Sequence, residues 1–374
     1  MANEYRAVVI GHTGRGNYGH DIDLSFAEIP SVEVVAVADP DEAGRAMAQV
    51  RTGAMRSYAD YRTMLDRERP DLALVCPRWS DQHQAMIAAC CETGVRGVYC
   101  EKPLAPSLAE ADEIRTLCQA TGLRLIVAHR SRENPYMQWA RDLLASGEVG
   151  RLEAVRAHGK CDHRAGGMDL AVLAPHLFDQ MDYFAGSPTW VFGQVTENGR
   201  PVTRADAVAG DEGVGLVAGD RISAMYGFPN GVVGYYETYP GDRAGEHWYG
   251  IELHCTHGII ALRNLPRGEV YRYPFGLWMP PVEAGKWERV LLPEWEDQAT
   301  GRPRQGSDWG HESNRRHALS LIRSIEENAT PRDTTTVDDV IRVHEMLSGI
   351  YWSHLTGSRI PLPLEDRGEP LARV

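Results

Sequence analysis

In the stretch VYCEKPLAPS, Val98–Ser107, a lysine stands between a carboxylate and a proline, directly after an apolar run. Glu101-Lys102 before a helix also reads as a solvated ion pair, so its meaning depends on its surroundings. Near the start of the chain lies GHTGRGNYGH, Gly11–His20, in which Gly14, Gly16 and Gly19 satisfy G-x-G-x-x-G. Thirty-seven glycines make chance matches easy. A ligand-free tight turn is the plain alternative. Here an apolar strand precedes the turn and Asp39 closes a second strand about 25 residues on, the layout of a dinucleotide fingerprint. Glycines let backbone N–H groups, here from Gly11 through Tyr18, approach a pyrophosphate, and a following helix N-terminus favours its charge. Asp39 can hold ribose hydroxyls and repels a 2′-phosphate, which favours NAD over NADP, although Arg15 and Arg45 are near in sequence. A third candidate is His176 in AGGMDLAVLAPHLFDQMDYFAG, Ala165–Gly186. Pro175 suits the opening of a helix and Gly186 its end. In a first turn the helix dipole disfavours the imidazolium, so a neutral ring is available to take a proton.

The elements that must position these residues are legible as runs. Arg6–Ile10, Val32–Ala38, Leu72–Cys76, Val95–Cys100 and Leu123–Ala128 are apolar strands separated by helix-length spacers, the signature of βαβ units around a buried parallel sheet. One spacer shows helix grammar: Ser107 and Glu110 form an S-x-x-E box and Gly122 stops the helix. Ligands of such sheets bind outside the carboxyl ends of the strands, which puts Glu101 and Lys102 on the same edge as Gly14 and Asp39. From about Arg151 strands follow one another closely: Arg151–His158, Thr189–Thr196, Arg221–Phe228, Val232–Thr238, Ile251–Cys255 and Ile259–Arg263, with Pro229-Asn230-Gly231 as a hairpin signal. These predict an antiparallel sheet. His311–Glu327 and Thr336–Thr356 read as helices, the second opened by Thr336 with Asp339 three residues on. Gln298–Ser307 reads as a loop. The expected fold class is an N-terminal α/β domain, a doubly wound parallel sheet over 1–130, followed by an α+β domain over 131–374.

With these motifs in place the chain resembles the glucose-fructose oxidoreductase / inositol dehydrogenase / rhizopine-catabolism (Gfo/Idh/MocA) family of NAD(P)-dependent oxidoreductases. The resemblance rests on Gly11–Gly19, VAVADPD at Val35–Asp41, CPRWSDQH at Cys76–His83, CEKPLA at Cys100–Ala105, HRSRENPY at His129–Tyr136, SGEVGRLEAV at Ser146–Val155 and the C-terminal tail from Pro331. It implies a Rossmann domain joined to a domain with a large open antiparallel sheet. That sheet serves as an oligomer interface, so a homodimer or homotetramer is expected. It also implies that Lys102 lies beside the nicotinamide and the substrate, in a cis Lys-Pro peptide. A lysine amine desolvated near the positive nicotinamide ring has its charged form disfavoured and can trade a proton with a substrate hydroxyl. Glu101 is expected to anchor the cofactor or its loop. Pro77, Trp79 and His83 fall where the nicotinamide ribose would rest, and Arg132 where the family often has an arginine near the cofactor.

The resemblance also places a catalytic histidine at His176. The family pattern there is D-x-G-x-H. This chain has Val172 where the acid would stand and Ala174 where the glycine would. Asp169, seven residues upstream, and Asp179, three downstream, are the available replacements. His158, Lys160, Asp162, His163 and Arg164 cluster after a strand and are expected to form a substrate-reading loop, His163 and Arg164 foremost. Cys161, Asp162 and His163 are adjacent with no distant partner, poor metal geometry, so no metal is expected. Tyr235, Tyr236, Tyr239 and Trp248 are assigned to the open sheet.

Three readings of function follow. The first is NAD-dependent hydride transfer on a sugar, polyol or related hydroxyl compound, with Lys102 and His176 handling the hydroxyl proton and Asp169 assisting. The second is lyase or glycosidase chemistry through a transient keto-sugar with retained NAD, distinguished by the absence of net NADH production. The third is a non-catalytic cofactor-binding regulator, motivated by Val172 and Ala174 and opposed by the presence of Lys102 and His176. Bulk properties exclude other classes. A net charge of −13 argues against nucleic acid and anionic membranes. No apolar run of membrane-spanning length occurs. The N-terminus does not read as a secretory signal. Seven cysteines, an odd number without C-x-x-C spacing, read as reduced thiols in a cytoplasm.

Overall fold

The computed structural model describes residues 5–241, 249–264, 269–276, 286–293, 296–297, 302–303 and 309–372. Trp248 and most of the loop expected at 298–307 lie outside them. Two compact units are distinguished: 1–133 with 211–215 and 308–341, and 134–210 with 216–307 and 342–374. A single boundary was expected near 130. The first unit also takes in two later segments. The main one carries helix α8, Trp309–Glu326, which lies against the sheet of this unit where Gly97 has no side chain. A Cβ there would come 2.8 Å from Ile325 Cδ1 and 3.1 Å from Leu321 Cδ1.

The first unit is a six-stranded parallel sheet: β1 Tyr5–Ile10, β2 Val32–Ala38, β3 Arg56–Tyr58, β4 Leu72–Val75, β5 Gly97–Cys100 and β6 Arg124–Val127, in the order β3-β2-β1-β4-β5-β6. This is the expected doubly wound Rossmann arrangement. The interior strands are almost continuously apolar because both faces are covered. β3 is three half-polar residues and leaves no alternation to read. The spacers are α1 Glu42–Thr52, α2 Tyr61–Glu68, α3 His83–Thr93 and α4 Leu108–Thr121. Asp41, Asp60 and Ser107 cap α1, α2 and α4, each accepting a backbone N–H three residues on. Gly53, Gly94 and Gly122 end α1, α3 and α4 in the left-handed region. Asp339 caps the last long helix, with Oδ2 accepting from Thr336 N at 2.7 Å and Thr336 Oγ1 at 2.6 Å.

The second unit holds α5 Pro135–Ser146, β7 Leu152–His158, α6 Gly167–Val172, α7 Ala174–Ala185, β8 Trp190–Glu197 and further strands at Arg221–Gly227, Val233–Thr238, Gly250–Cys255 and Gly258–Arg263. The last helix, α9, spans Val337–Thr356, and its portion from 342 belongs here. The sheet is large and mainly antiparallel, with one departure from expectation: β7 and Val233–Thr238 run parallel, Glu237 opposite His158. The chain between them passes through α6, α7 and five strands, long enough for a crossover, whereas a tight hairpin permits only the antiparallel pairing. One face is packed: Phe178 of α7 meets the rings of Tyr226 and Tyr236 at 5.6 and 5.0 Å. Truncating a fully buried ring of this kind costs about 3–5 kcal/mol. Burial alternates along β8 and its neighbours, so the other face is open.

Candidate functional site

In the first unit the chain leaves β1 into the glycine turn. Gly14 and Gly16 adopt φ of +83° and +91°, a region that costs other residues strain. At Gly16 a Cβ would stand 2.5 Å from Arg78 N and 2.6 Å from Trp79 N, so a side chain would collide with backbone. Asn17 stabilises the turn, its Oδ1 accepting Gly14 N–H at 2.8 Å. The ring of Tyr18 lies on Gly11, where a Cβ would come 2.1 Å from the ring. The expected helix after the turn is a 3-10 turn, Gly19–Leu24, broken by His20 and Asp21 in the left-handed region. No regular helix N-terminus therefore faces this turn. Three glycines and two left-handed residues leave too few consecutive helical positions.

Asp39 ends β2, as expected, but it is fully buried. Its Oδ1 accepts Thr13 N at 3.1 Å and Asp41 N at 2.9 Å; its Oδ2 accepts Thr13 N at 3.0 Å and Thr13 Oγ1 at 2.8 Å. The carboxylate fastens the turn to β2. Arg45 Nη1 donates to the Asp39 carbonyl at 2.6 Å, and Arg15 is paired with Asp81 above the Trp79 ring. Both cations are engaged within the chain. Beside them a cavity of about 370 Å³ is lined by Gly11, His12, Asp39, Asp60, Gln82 and Met86, among others, with no lysine or arginine. A turn with positive φ at Gly14 and Gly16, next to a cavity lined by Asp39 and Asp60 and by no cation, fits an adenine dinucleotide without a 2′-phosphate.

At the carboxyl end of β5, Lys102 is 4% exposed and the Lys102–Pro103 peptide is cis. Glu101 is buried; Oε1 accepts the Lys102 N–H at 3.0 Å and Oε2 faces His20 Nδ1 at 3.1 Å. Burial opposes its anion, but the His20 ring, Lys102 and Arg130 outweigh burial and hold the carboxyl down to about 2. Gly19 makes room for this contact, since a Cβ there would lie 2.8 Å from Glu101 Oε2. Asn314 of α8 ties the parts together: its Oδ1 accepts from Tyr99 OH at 3.0 Å and its Nδ2 donates to the His20 carbonyl at 2.8 Å. His20 and Asn314 escaped the sequence reading. The glycine-histidine step at Gly19-His20 was the available signal for the first; nothing local marks the second.

Two of the expected cofactor contacts are buried and engaged within the chain. His83 is fully buried, with Nε2 2.7 Å from the Pro77 carbonyl and Nδ1 3.1 Å from that of Leu104. Burial pushes the ring toward its neutral form while the two carbonyls oppose that. His83 braces the loops around Pro77 and Lys102. Arg132 is buried and paired with Asp339, Nη1 to Oδ1 3.1 Å, an ion pair at the cap of α9. Trp79 remains half-buried under Arg15, and the neighbouring Ser80 Oγ donates to the Gly213 carbonyl at 2.9 Å.

In the second unit the carboxyl ends of β7 and Val233–Thr238 share an edge. Asp169 is fully buried in α6: Oδ2 accepts Cys161 N at 3.0 Å and Thr238 Oγ1 at 2.6 Å, and Oδ1 accepts Lys160 N at 3.3 Å. Burial pushes its carboxyl up. Asp169 shapes the loop after β7 and does not present an open carboxylate. Asp162 gathers the loop's cations, with Arg164 Nη2 at 2.6 Å and Lys160 Nζ at 3.2 Å. Burial works against its anion, and the hydrogen bonds from Arg164 prevail and lower it. His163 stands 85% exposed, and Arg164 is turned onto Asp162. His158 Nε2 meets Tyr239 OH at 3.2 Å. His176 lies half-buried in the first turn of α7, as expected, with Pro175 before it. Asp179 is buried one turn on. Among the described residues no group of three metal-type ligands converges.

Comparison with known proteins follows this division. Residues 5–129 match the model of the oxidoreductase family with NAD-binding Rossmann fold, and residues 137–261 that of the GFO/IDH/MocA C-terminal domain. Levoglucosan dehydrogenase of Pseudarthrobacter phenanthrenivorans is 24% identical over 295 residues, covering 70% of this chain and 75% of that one. Trans-1,2-dihydrobenzene-1,2-diol dehydrogenase of Mus musculus is 26% identical over 231 residues, 60% and 66% of the two chains. A solved structure of levoglucosan dehydrogenase with NADH and L-sorbose shares the fold, with a TM-score of 0.76 at 20% identity, covering 97% of this chain and all of that one.

Proposed function

The chain belongs to the Gfo/Idh/MocA oxidoreductase family, and from that premise we propose that it is an NAD-dependent dehydrogenase of a CH–OH group on a sugar, polyol or related hydroxyl compound. When bound, the nicotinamide supplies the hydride acceptor and donor. The residues of the chain do the rest. The turn at Gly14–Gly16 receives the pyrophosphate against bare backbone. Lys102 takes the hydroxyl proton as the carbonyl forms and returns it in reduction, and His176 shares that proton. Glu101, fixed by His20, positions the lysine backbone. Lys160, Arg164 and His163 read the substrate from the loop that Asp169 shapes. The observation that carries this reading is a lysine almost without exposure, next to a carboxylate held as an anion, at a strand end beside a glycine cradle. Relatives named for levoglucosan, D-apiose and a cyclic diol support a carbohydrate-like substrate.

We also propose a homo-oligomer formed through the open sheet face and a cytoplasmic location. On that face Phe192, Met225 and Tyr235 are register neighbours, 45%, 37% and 41% exposed, an apolar row suited to a second copy. All seven cysteines are buried and none is in a disulfide, which suits a reducing compartment. Among the described residues no helix is long and apolar enough to cross a membrane. The function is tested by denaturing the purified protein, identifying any released nucleotide, and screening with NAD against sugars and polyols. NADH formation with at least one hydroxyl compound is expected. Absence of both nucleotide binding and turnover would overturn the reading.

A further inference from the structure

His176 is the third residue of α7, a position where a helix leaves a backbone N–H without an intrahelical partner. A polar side chain just before the helix usually accepts such an N–H, but the residue there is Leu173, and no side chain caps α7. Pro175 has no N–H to satisfy. The His176 N–H turns back to the Leu173 carbonyl at 3.2 Å. The same carbonyl accepts the Tyr249 hydroxyl at 2.8 Å. One carbonyl oxygen can accept both bonds.

Tyr249 is 4% exposed and directly precedes the strand Gly250–Cys255. Burial pushes its phenol up, so the hydroxyl keeps its proton and donates. Its backbone carbonyl accepts the N–H of Asn264 at 2.9 Å, just past the paired strand Gly258–Arg263. Asn264 Oδ1 in turn accepts from Gln180 Nε2 at 2.9 Å. Gln180 is fully buried and lies one turn after His176 on the same face of α7. Two residues joined at the end of one hairpin therefore hold α7 on either side of His176. This support comes from the sheet, in a chain that has Val172 where the family pattern has an acid. Asp169 directs both of its oxygens to Cys161, Lys160 and Thr238.

We propose that Tyr249 and Asn264 are positioning residues for His176, fixing the first turn of α7 so that the imidazole meets the substrate hydroxyl. The assignment rests on the reading of His176 as a proton carrier and deepens it.

The test is a double-mutant cycle on the full chain, read as kcat for NADH formation with the best substrate of a sugar and polyol panel. Tyr249→Phe removes the hydroxyl and keeps the ring. It is expected to lower kcat by roughly tenfold or more, the cost of a small misplacement of a reacting group, with KM and the NADH dissociation constant unchanged. In a His176→Asn background the same substitution is expected to change kcat by less than about twofold, because residues that act as one unit are not additive. Asn264→Ala, which removes the acceptor of Gln180, is expected to behave alike. A merely structural role would lower activity equally in both backgrounds. Equal losses in the two backgrounds, or no loss when His176 is present, overturn the assignment alone. His176→Asn with the kcat of the wild type overturns the reading of His176 itself, and this assignment with it.

Discussion

Glu101 shows how a buried carboxylate stays ionised: desolvation raises its pKa, and the His20 ring, Lys102 and Arg130 together lower it by more. Because the folded value, about 2, lies below the ordinary 4.5, the group contributes stability above that ordinary value. The contribution fades as pH falls from about 4.5 toward 2. Glu101→Gln is expected to cost on the order of 2–3 kcal/mol near neutral pH. Denaturant unfolding of the two proteins at neutral pH and at pH about 3 checks this: the gap between them narrows at low pH, and a constant gap contradicts the pairing. Asp169 makes the complementary case. Asp169→Ala leaves the N–H of Cys161, the N–H of Lys160 and the hydroxyl of Thr238 without their acceptor. The expected cost is about 2–4 kcal/mol, together with a raised substrate KM and an unchanged NADH dissociation constant. At this scale sequence reading singled out Lys102, His176 and Glu101 as candidates through motif and spacing. The partners of His83, Arg132 and Asp169, such as the Leu104 carbonyl, Asp339 and Thr238, were not legible, because they come from other parts of the chain.

At the scale of elements the glycine turn does the positioning. Gly16 combines a positive φ with backbone on the side where a Cβ would project. Gly16→Ala is expected to weaken NADH binding by at least tenfold, since both the strain and the clash with Arg78 and Trp79 must be relieved by moving the turn. A fluorescence titration reads this directly, and an unaltered affinity contradicts the cradle. Strands and long helices were legible to within a residue or two because β-branched runs, caps such as Ser107 and Thr336, and the stop at Gly122 are local signals. The 3-10 turn after Gly19 was not, because His20 and Asp21 take left-handed conformations that their types do not announce. The parallel pairing of β7 with Val233–Thr238 was hidden for a different reason. Alternation fixes which face a strand buries and is silent about which neighbour it meets.

For the whole molecule, one consequence follows from the open face of the large sheet. An exposed row of Phe192, Met225 and Tyr235 in register is a surface a solitary protein rarely leaves uncovered. Met225→Glu combined with Phe192→Glu is expected to lower the mass observed in sedimentation from a dimer or larger to the single chain, with NADH binding retained; an unchanged mass places the interface elsewhere. The order of units was legible from the shift between helix-spaced strands and closely spaced ones. The return of α8 to the first unit was not, since the match between its apolar face and the missing side chain at Gly97 spans more than two hundred residues.

The central claim is that Lys102 moves the proton that accompanies hydride exchange at a substrate carbon. It is tested most directly by following deuterium from C4-deuterated NADH into a ketose or related carbonyl compound, in wild type and in Lys102→Met. The account predicts a deuterated alcohol from the wild type, and from Lys102→Met almost none, although that variant still binds NADH. Equal deuterium transfer by both proteins, or none by a wild type that binds NADH, would contradict it.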